Sequence, residues 1–313
     1  MSAQNNYTLG MGFVPPMAVT LANLTTNVPA SALLPWNAAT NYALDAEICD
    51  PATGVIWRSM LPGNQNNNPL TTSGKWQKRG VENRLRMFDA SLGTATENPE
   101  LIEVVIPPGR VVTDVMLLGV QAHNVQVLVN DPVDGLVFDS KDILMLRPSG
   151  NSHWGYYFEP ITRQRRLHVW GLPAYTQATV TIRIRNPGSV AKCAEAVIGR
   201  AVWLGNTQWR PSIGFDDWGV KKRDEWGGWT VNAEEGAFSD RMKLQVLVEE
   251  QAYELTRERI LPYRNKHVVW IGARGVNALT LYGYITGFEQ VLPGVGFSDC
   301  QMTFEGLESN ELY

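Results

Sequence analysis

Three tryptophans and one tyrosine, Trp36, Tyr42, Trp57 and Trp76, punctuate a short polar stretch that ends near Gly80. Flat aromatic rings stack on the C–H faces of pyranose sugars, while amide and carboxylate side chains hydrogen-bond sugar hydroxyls. Asp45, Asn64 and Asn66 lie in the same stretch and could supply those polar contacts. A segment of about 45 residues has too little chain to bury much apolar surface. Its rings therefore form nearly the whole of a miniature core or stand exposed as platforms. At least one or two of the four must be core, and the expected glycan-contact set is Trp36, Tyr42, Trp57 and Trp76 with Asp45, Asn64 and Asn66 beside them.

A second aromatic group, Trp209, Trp218, Trp226 and Trp229, surrounds the pair Gly227-Gly228. It suits either another sugar platform or a hairpin tip packed into a neighbouring subunit, and the enrichment of tryptophan at interfaces favours the subunit interface. Catalytic patterns are missing: there is no H-E-x-x-H, G-x-S-x-G or phosphate-binding loop, and His123, His153, His168 and His267 share no metal-ligand spacing. The acid pairs Asp216-Asp217 and Glu234-Glu235 read as surface features rather than a glycosidase pair. Asp131, Asp134 and Asp139 could surround a calcium ion, but the Asp-Pro-Val-Asp-Gly turn explains them without one. No enzyme activity, cofactor or metal is expected.

Composition bounds the remaining classes. The 313 residues are 44% hydrophobic and 19% charged, enough for two or three ordered cores. A net charge of −4 opposes a dedicated nucleic-acid binder, despite the local clusters Arg163, Arg165, Arg166 and Lys221, Lys222, Arg223. Cys49, Cys193 and Cys300 are far apart and form no C-x-x-C, so neither a disulfide framework nor a zinc site is expected. No signal peptide or membrane-spanning run is apparent, which predicts synthesis in the cytoplasm and no membrane insertion.

The elements that must position these residues read mainly as β. Residues 1–32 predict an extended, uncharged arm lying across the chain's own domains or a neighbouring subunit, because its prolines oppose helix. Residues 33–80 form the small aromatic module. From 81 to 188, alternating runs such as Asn124–Val129 and Thr179–Arg185, separated by Pro and Gly turns, predict a β-sandwich of jelly-roll type. Asn186-Pro187-Gly188 reads as a boundary. Residues 189–313 then predict a β-sandwich or split barrel with one flanking helix at about 249–261, packed through Ala252, Leu255 and Ile260.

The pattern Trp36, Thr40, Tyr42, Asp45, Trp57, Asn64, Pro69, Trp76, Gly80 resembles small carbohydrate-binding modules of the chitin-binding type, as inserted near the start of bacteriophage tail proteins. The following Glu82–Ala90, E-N-R-L-R-M-F-D-A, looks like the continuation seen in tail proteins of phages infecting Gram-negative bacteria, and residues 189–313 look in outline like tail-tube or tail-tip domains. The resemblance implies a virion structural protein of a tail tip or baseplate, similar to the distal tail proteins. It would assemble as a homo-oligomer, expected hexameric, beside tube, hub and fibre proteins, and touch a host surface glycan. Its place would be the virion tail. Alternatives are a tail fibre or receptor-binding protein, and a carbohydrate-active enzyme with an accessory binding module.

Overall fold

A computed structural model describes residues 10–72, 74–146, 157, 163–208, 210–219, 236–249, 252–291 and 296–307. The chain is mainly β, with several sheets and one short helix. It opens with β1 (Gly10–Val14) and β2 (Thr25–Thr26), then builds a three-stranded unit from β3 (Glu47–Cys49), β4 (Val55–Ser59) and β5 (Trp76–Val81). After a 3-10 turn at Asn83–Phe88 come β6 (Thr96–Ile106), β7 (Asp114–Leu118), β8 (Asn124–Asp131), β9 (Gly135–Asp139) and β10 (Ile143–Leu144). Next are β11 (Leu167–Trp170), β12 (Thr179–Cys193), β13 (Glu195–Gly199), β14 (Val202–Thr207) and β15 (Ser212–Asp217). The last are β16 (Phe238–Glu249), helix α1 (Tyr253–Ile260), β17 (Val268–Ile271), β18 (Thr280–Val291) and β19 (Phe297–Gly306).

Alternation along the strands creates the sandwich core. In a sheet ordered β10-β8-β12-β6-β2, with β9 beside β8, Val180, Ile182 and Ile184 lie opposite Val129, Val127 and Val125 on one side and Ile106, Val104 and Ile102 on the other. All nine are buried, each stabilising by roughly 1.5–3 kcal/mol relative to exposure. The opposite face is wet: Arg183 pairs across the strands with Glu103 at 2.6 Å, and Arg185 with Asp142 at 2.7 Å. The second sheet, β11-β7-β13, closes this core on one face and packs on the C-terminal domain with the other. That double burial is why β7 and β13 carry uninterrupted buried runs instead of alternation.

The expected boundary at Asn186-Pro187-Gly188 falls inside β12. Pairing to β6 slips between Arg185 and Val190 and then resumes as far as Cys193. Asn186, buried, pins this bulge by donating its amide to the Val190 carbonyl at 2.8 Å, and Gly188 supplies the positive φ. Since β13 also belongs to the sandwich, the junction lies near Arg200.

The C-terminal domain is a closed antiparallel barrel. Its order is β14-β1-β17-β18-β19-β16, and β16 returns to β14 through Asn206↔Leu247 and Thr207↔Val246, with β15 paired to the other end of β16. Met11, Phe13, Leu244, Val246, Trp270 and Phe304 fill it. The uncharged leading stretch thus belongs to two cores: β1 is an interior strand of the barrel, while Met17 and Val28 enter the sandwich core and β2 pairs with β6. Charges there would have been buried between sheets at several kcal/mol each.

Helix α1 is shorter than expected. Glu249 still belongs to β16, and the helix packs through Ile260 and Thr256, while Leu255 points outward. Among the described residues no helix is long and apolar enough to cross a membrane.

Candidate glycan-contact site

The small unit is organised around Trp76. The ring is 6% exposed, Tyr42 packs edge-on against it at 5.3 Å, and its Nε1 donates to the Asn67 carbonyl at 2.8 Å. Ile48 and Cys49 on β3 are the other buried apolar residues of its sheet. Trp76 is therefore the core of the unit and not an exposed platform, a correction that follows from how little else so short a segment can bury.

The Asn-rich run is likewise ordered. Asn64, 2% exposed, exchanges backbone hydrogen bonds with Tyr42, and its amide donates to Ser59 Oγ at 3.1 Å and to the Lys75 carbonyl at 3.2 Å. Its Oδ1 accepts from the Asn67 amide at 2.7 Å, and Lys75 Nζ donates to Asn67 Oδ1 at 2.9 Å. Asn64 is thus the polar pin that holds the loop over the sheet, and the expected sugar contact is corrected to an internal role. Tyr42 is also engaged: its hydroxyl accepts from the Asn37 N–H at 2.7 Å.

Four of the expected residues remain at the surface. Trp57 lies on β4 opposite Ile48 and Lys78, next to a bulge, and is half-buried; Trp36 is half-buried too. Both indole N–H groups are buried without a protein acceptor. Asp45 occupies a left-handed turn position at φ 66° and accepts an ion pair from Arg58 Nη2 at 2.5 Å. Asn66, exposed, adopts φ 53°, a conformation that asparagine tolerates. The surface also bears Leu34, Leu44, Met60, Leu61 and Leu70, each exposed, an apolar set that the aromatic pattern alone did not single out.

Glu82–Ala90 joins the unit to the sandwich. Buried Glu82 accepts from the Ser31 N–H at 2.9 Å and pairs with Arg84 at 2.6 Å, Gly54 bonds back to the Glu82 N–H, and Met87 is fully buried in the sandwich core. At the far end, Asp89 and Ala90 reach Glu195, whose Oε2 accepts from the Ala90 N–H at 3.0 Å. Tyr282 of the barrel donates to Glu195 Oε1 at 3.2 Å. Burial, reinforced by the Asp89 charge, pushes the Glu195 carboxyl up to about 8.

Of the expected interface tryptophans, Trp218 is 48% exposed just beyond β15, its N–H donating to the Ala237 carbonyl; Trp209, Trp226 and Trp229 lie outside the described residues. Asp216 pairs with Arg241 at 3.1 Å, and Glu234-Glu235 also lies outside. Asp131 caps its own turn by accepting from the Val133 and Asp134 N–H groups. Asp139 accepts from Lys141 and Gln126, bonds that hold its carboxyl down at about 2. Among the described residues, no group of three or more His, Cys, Asp or Glu side chains is placed to hold a metal ion.

Compared with known proteins, the chain matches no protein family, no curated protein and no solved structure.

Proposed function

We propose that the protein is a structural component of a phage tail tip or baseplate, assembled as a symmetric ring, whose small N-terminal unit makes weak contact with host surface glycans. The observation that carries the glycan part is the pair Trp36 and Trp57: half-buried rings that keep a face at the surface, on a unit whose core is already supplied by Trp76. Asp45 and Asn66 lie at the surface of the same unit to bond hydroxyls. The assembly part is supported by exposed apolar side chains at Ile213 and Phe215 on the outer strand of the barrel sheet and at Trp218 just beyond it, a surface that natural proteins cover. A ring of copies raises weak single-site affinity through a tethered second contact by a factor of about 10² to 10⁴.

Negative-stain imaging and a glycan array on the full chain test this together. A six-fold ring that binds glycans, with binding abolished by Trp36→Ala plus Trp57→Ala, is the expected result. A three-fold rod, or a monomer that hydrolyses polysaccharide, would overturn it.

A further inference from the structure

Arginines converge on one tryptophan at the edge of the barrel. Trp203 on β14 lies against β1, where Gly10 and Gly12 leave room for its ring. The Arg274 guanidinium stacks over that ring at 4.1 Å, and Arg259 of α1 donates from Nη1 to the Trp203 carbonyl at 3.0 Å. Both arginines line a cleft of about 620 Å³, and Arg259 with Arg200 lines a second of about 640 Å³ to which Trp203 also contributes.

These cations are poorly neutralised. Arg274 Nε is buried and donates to no protein atom. Its Nη2 comes only to 4.0 Å of Asp114 Oδ1, an oxygen already 3.0 Å from His168 Nε2. Glu249 lines the first cleft, and among the described residues neither it nor Arg200 nor Arg259 forms an ion pair. Like charges held around one side chain would be stabilised by an oxyanion in the cleft, which could take charge-assisted hydrogen bonds from the guanidiniums that line it.

We infer that the cleft between Arg259 and Arg274 is an anion site that takes the phosphate or carboxylate of a substituted saccharide. Two arginines on one open cleft suit a discrete anionic group, whereas a nucleic-acid backbone calls for an extended basic stripe and several phosphate contacts. The saccharide as carrier rests on the reading of the protein as a host-surface contact; the anion chemistry rests on the cleft alone.

Isothermal titration of the full chain at low salt uses glucose 6-phosphate, with inorganic phosphate, glucuronate and glucose as the other arms. Saturable binding of glucose 6-phosphate is expected, at least tenfold weaker in Arg259→Gln and in Arg274→Gln, weakened by added salt and absent for glucose. The phosphate and glucuronate arms show which oxyanion suffices. Arg259 is exposed on a helix surface, so Arg259→Gln leaves the core intact and remains informative if Arg274→Gln fails to fold. No saturable binding to the wild type, equal binding by wild type and Arg259→Gln, or tighter binding of a single-stranded oligonucleotide would overturn the inference. Trp36→Ala plus Trp57→Ala leaves this titration unchanged, so failure here is distinguishable from failure of the small unit to bind glycans.

Discussion

Glu195 should make the protein less stable as pH rises through neutrality. The residue is 3% exposed between the sandwich and the barrel, and desolvation together with the Asp89 charge outweighs the hydrogen bonds from Tyr282 and Ala90. The folded chain therefore keeps the proton to about pH 8, while the unfolded chain releases it near 4.5. Between those values the native state binds the extra proton, so stability falls with increasing pH and the loss is complete above the folded pKa. A shift from 4.5 to about 8, at about 1.4 kcal/mol per unit, sets an upper limit on the order of 5 kcal/mol, roughly half of it lost between pH 6 and 8. Asp89, raised by its own burial, adds in the same direction. Urea unfolding followed by tryptophan fluorescence from pH 5.5 to 8.5 should show a falling midpoint for the wild type. In Glu195→Gln, whose amide oxygen can accept from Ala90 while its NH₂ donates to the Tyr282 hydroxyl in a reversed bond, the midpoint should stay nearly flat and exceed the wild type at pH 8.5. Parallel curves for the two proteins would refute the burial argument.

Other consequences are as direct. Trp76→Ala removes the centre of the small unit and should destabilise it by about 3–5 kcal/mol in hydrogen exchange, while Trp57→Ala costs far less and acts on glycan binding. Asn64→Ala leaves the Asn67 amide and Ser59 hydroxyl short of partners and should cost about 1–3 kcal/mol, read as faster proteolysis between residues 60 and 75. At Gly12 a Cβ would meet Trp203 Cε3 at 2.6 Å and the Val202 carbonyl at 2.8 Å, so Gly12→Ala should lower the thermal midpoint by an amount equivalent to about 1–3 kcal/mol, whereas Gly135→Ala, with open space around it, is limited to backbone strain.

Much of the sandwich was legible because a half-buried strand writes its face into every second residue: Val125, Val127 and Val129 face inward, and so do Val180, Ile182 and Ile184. The bulge in β12 was hidden because Asn-Pro-Gly reads the same whether it ends a domain or kinks a strand, and only the partner strand decides. Likewise, Glu249 could extend either strand or helix, and pairing with Phe297 settles it as strand. At the site, aromatic density located the unit but not which ring turns inward, since Trp36, Trp57 and Trp76 have equal intrinsic preference. Asn64 gave no signal that separates a sugar ligand from a buried pin. The arginines around Trp203 are spread from residue 200 to 274, and no local pattern links them.

Barrel closure by β1 also orders events during synthesis. Met11 and Phe13 leave the ribosome long before the partners that cover them, because β14, β17 and the rest of the wall follow some two hundred residues later. Until then an apolar strand with two bare edges is tethered to a sandwich whose own edge β13 is equally late. The nascent chain thus carries its most adhesive segment longest, and translation speed or a holding chaperone should control its yield more than final stability does.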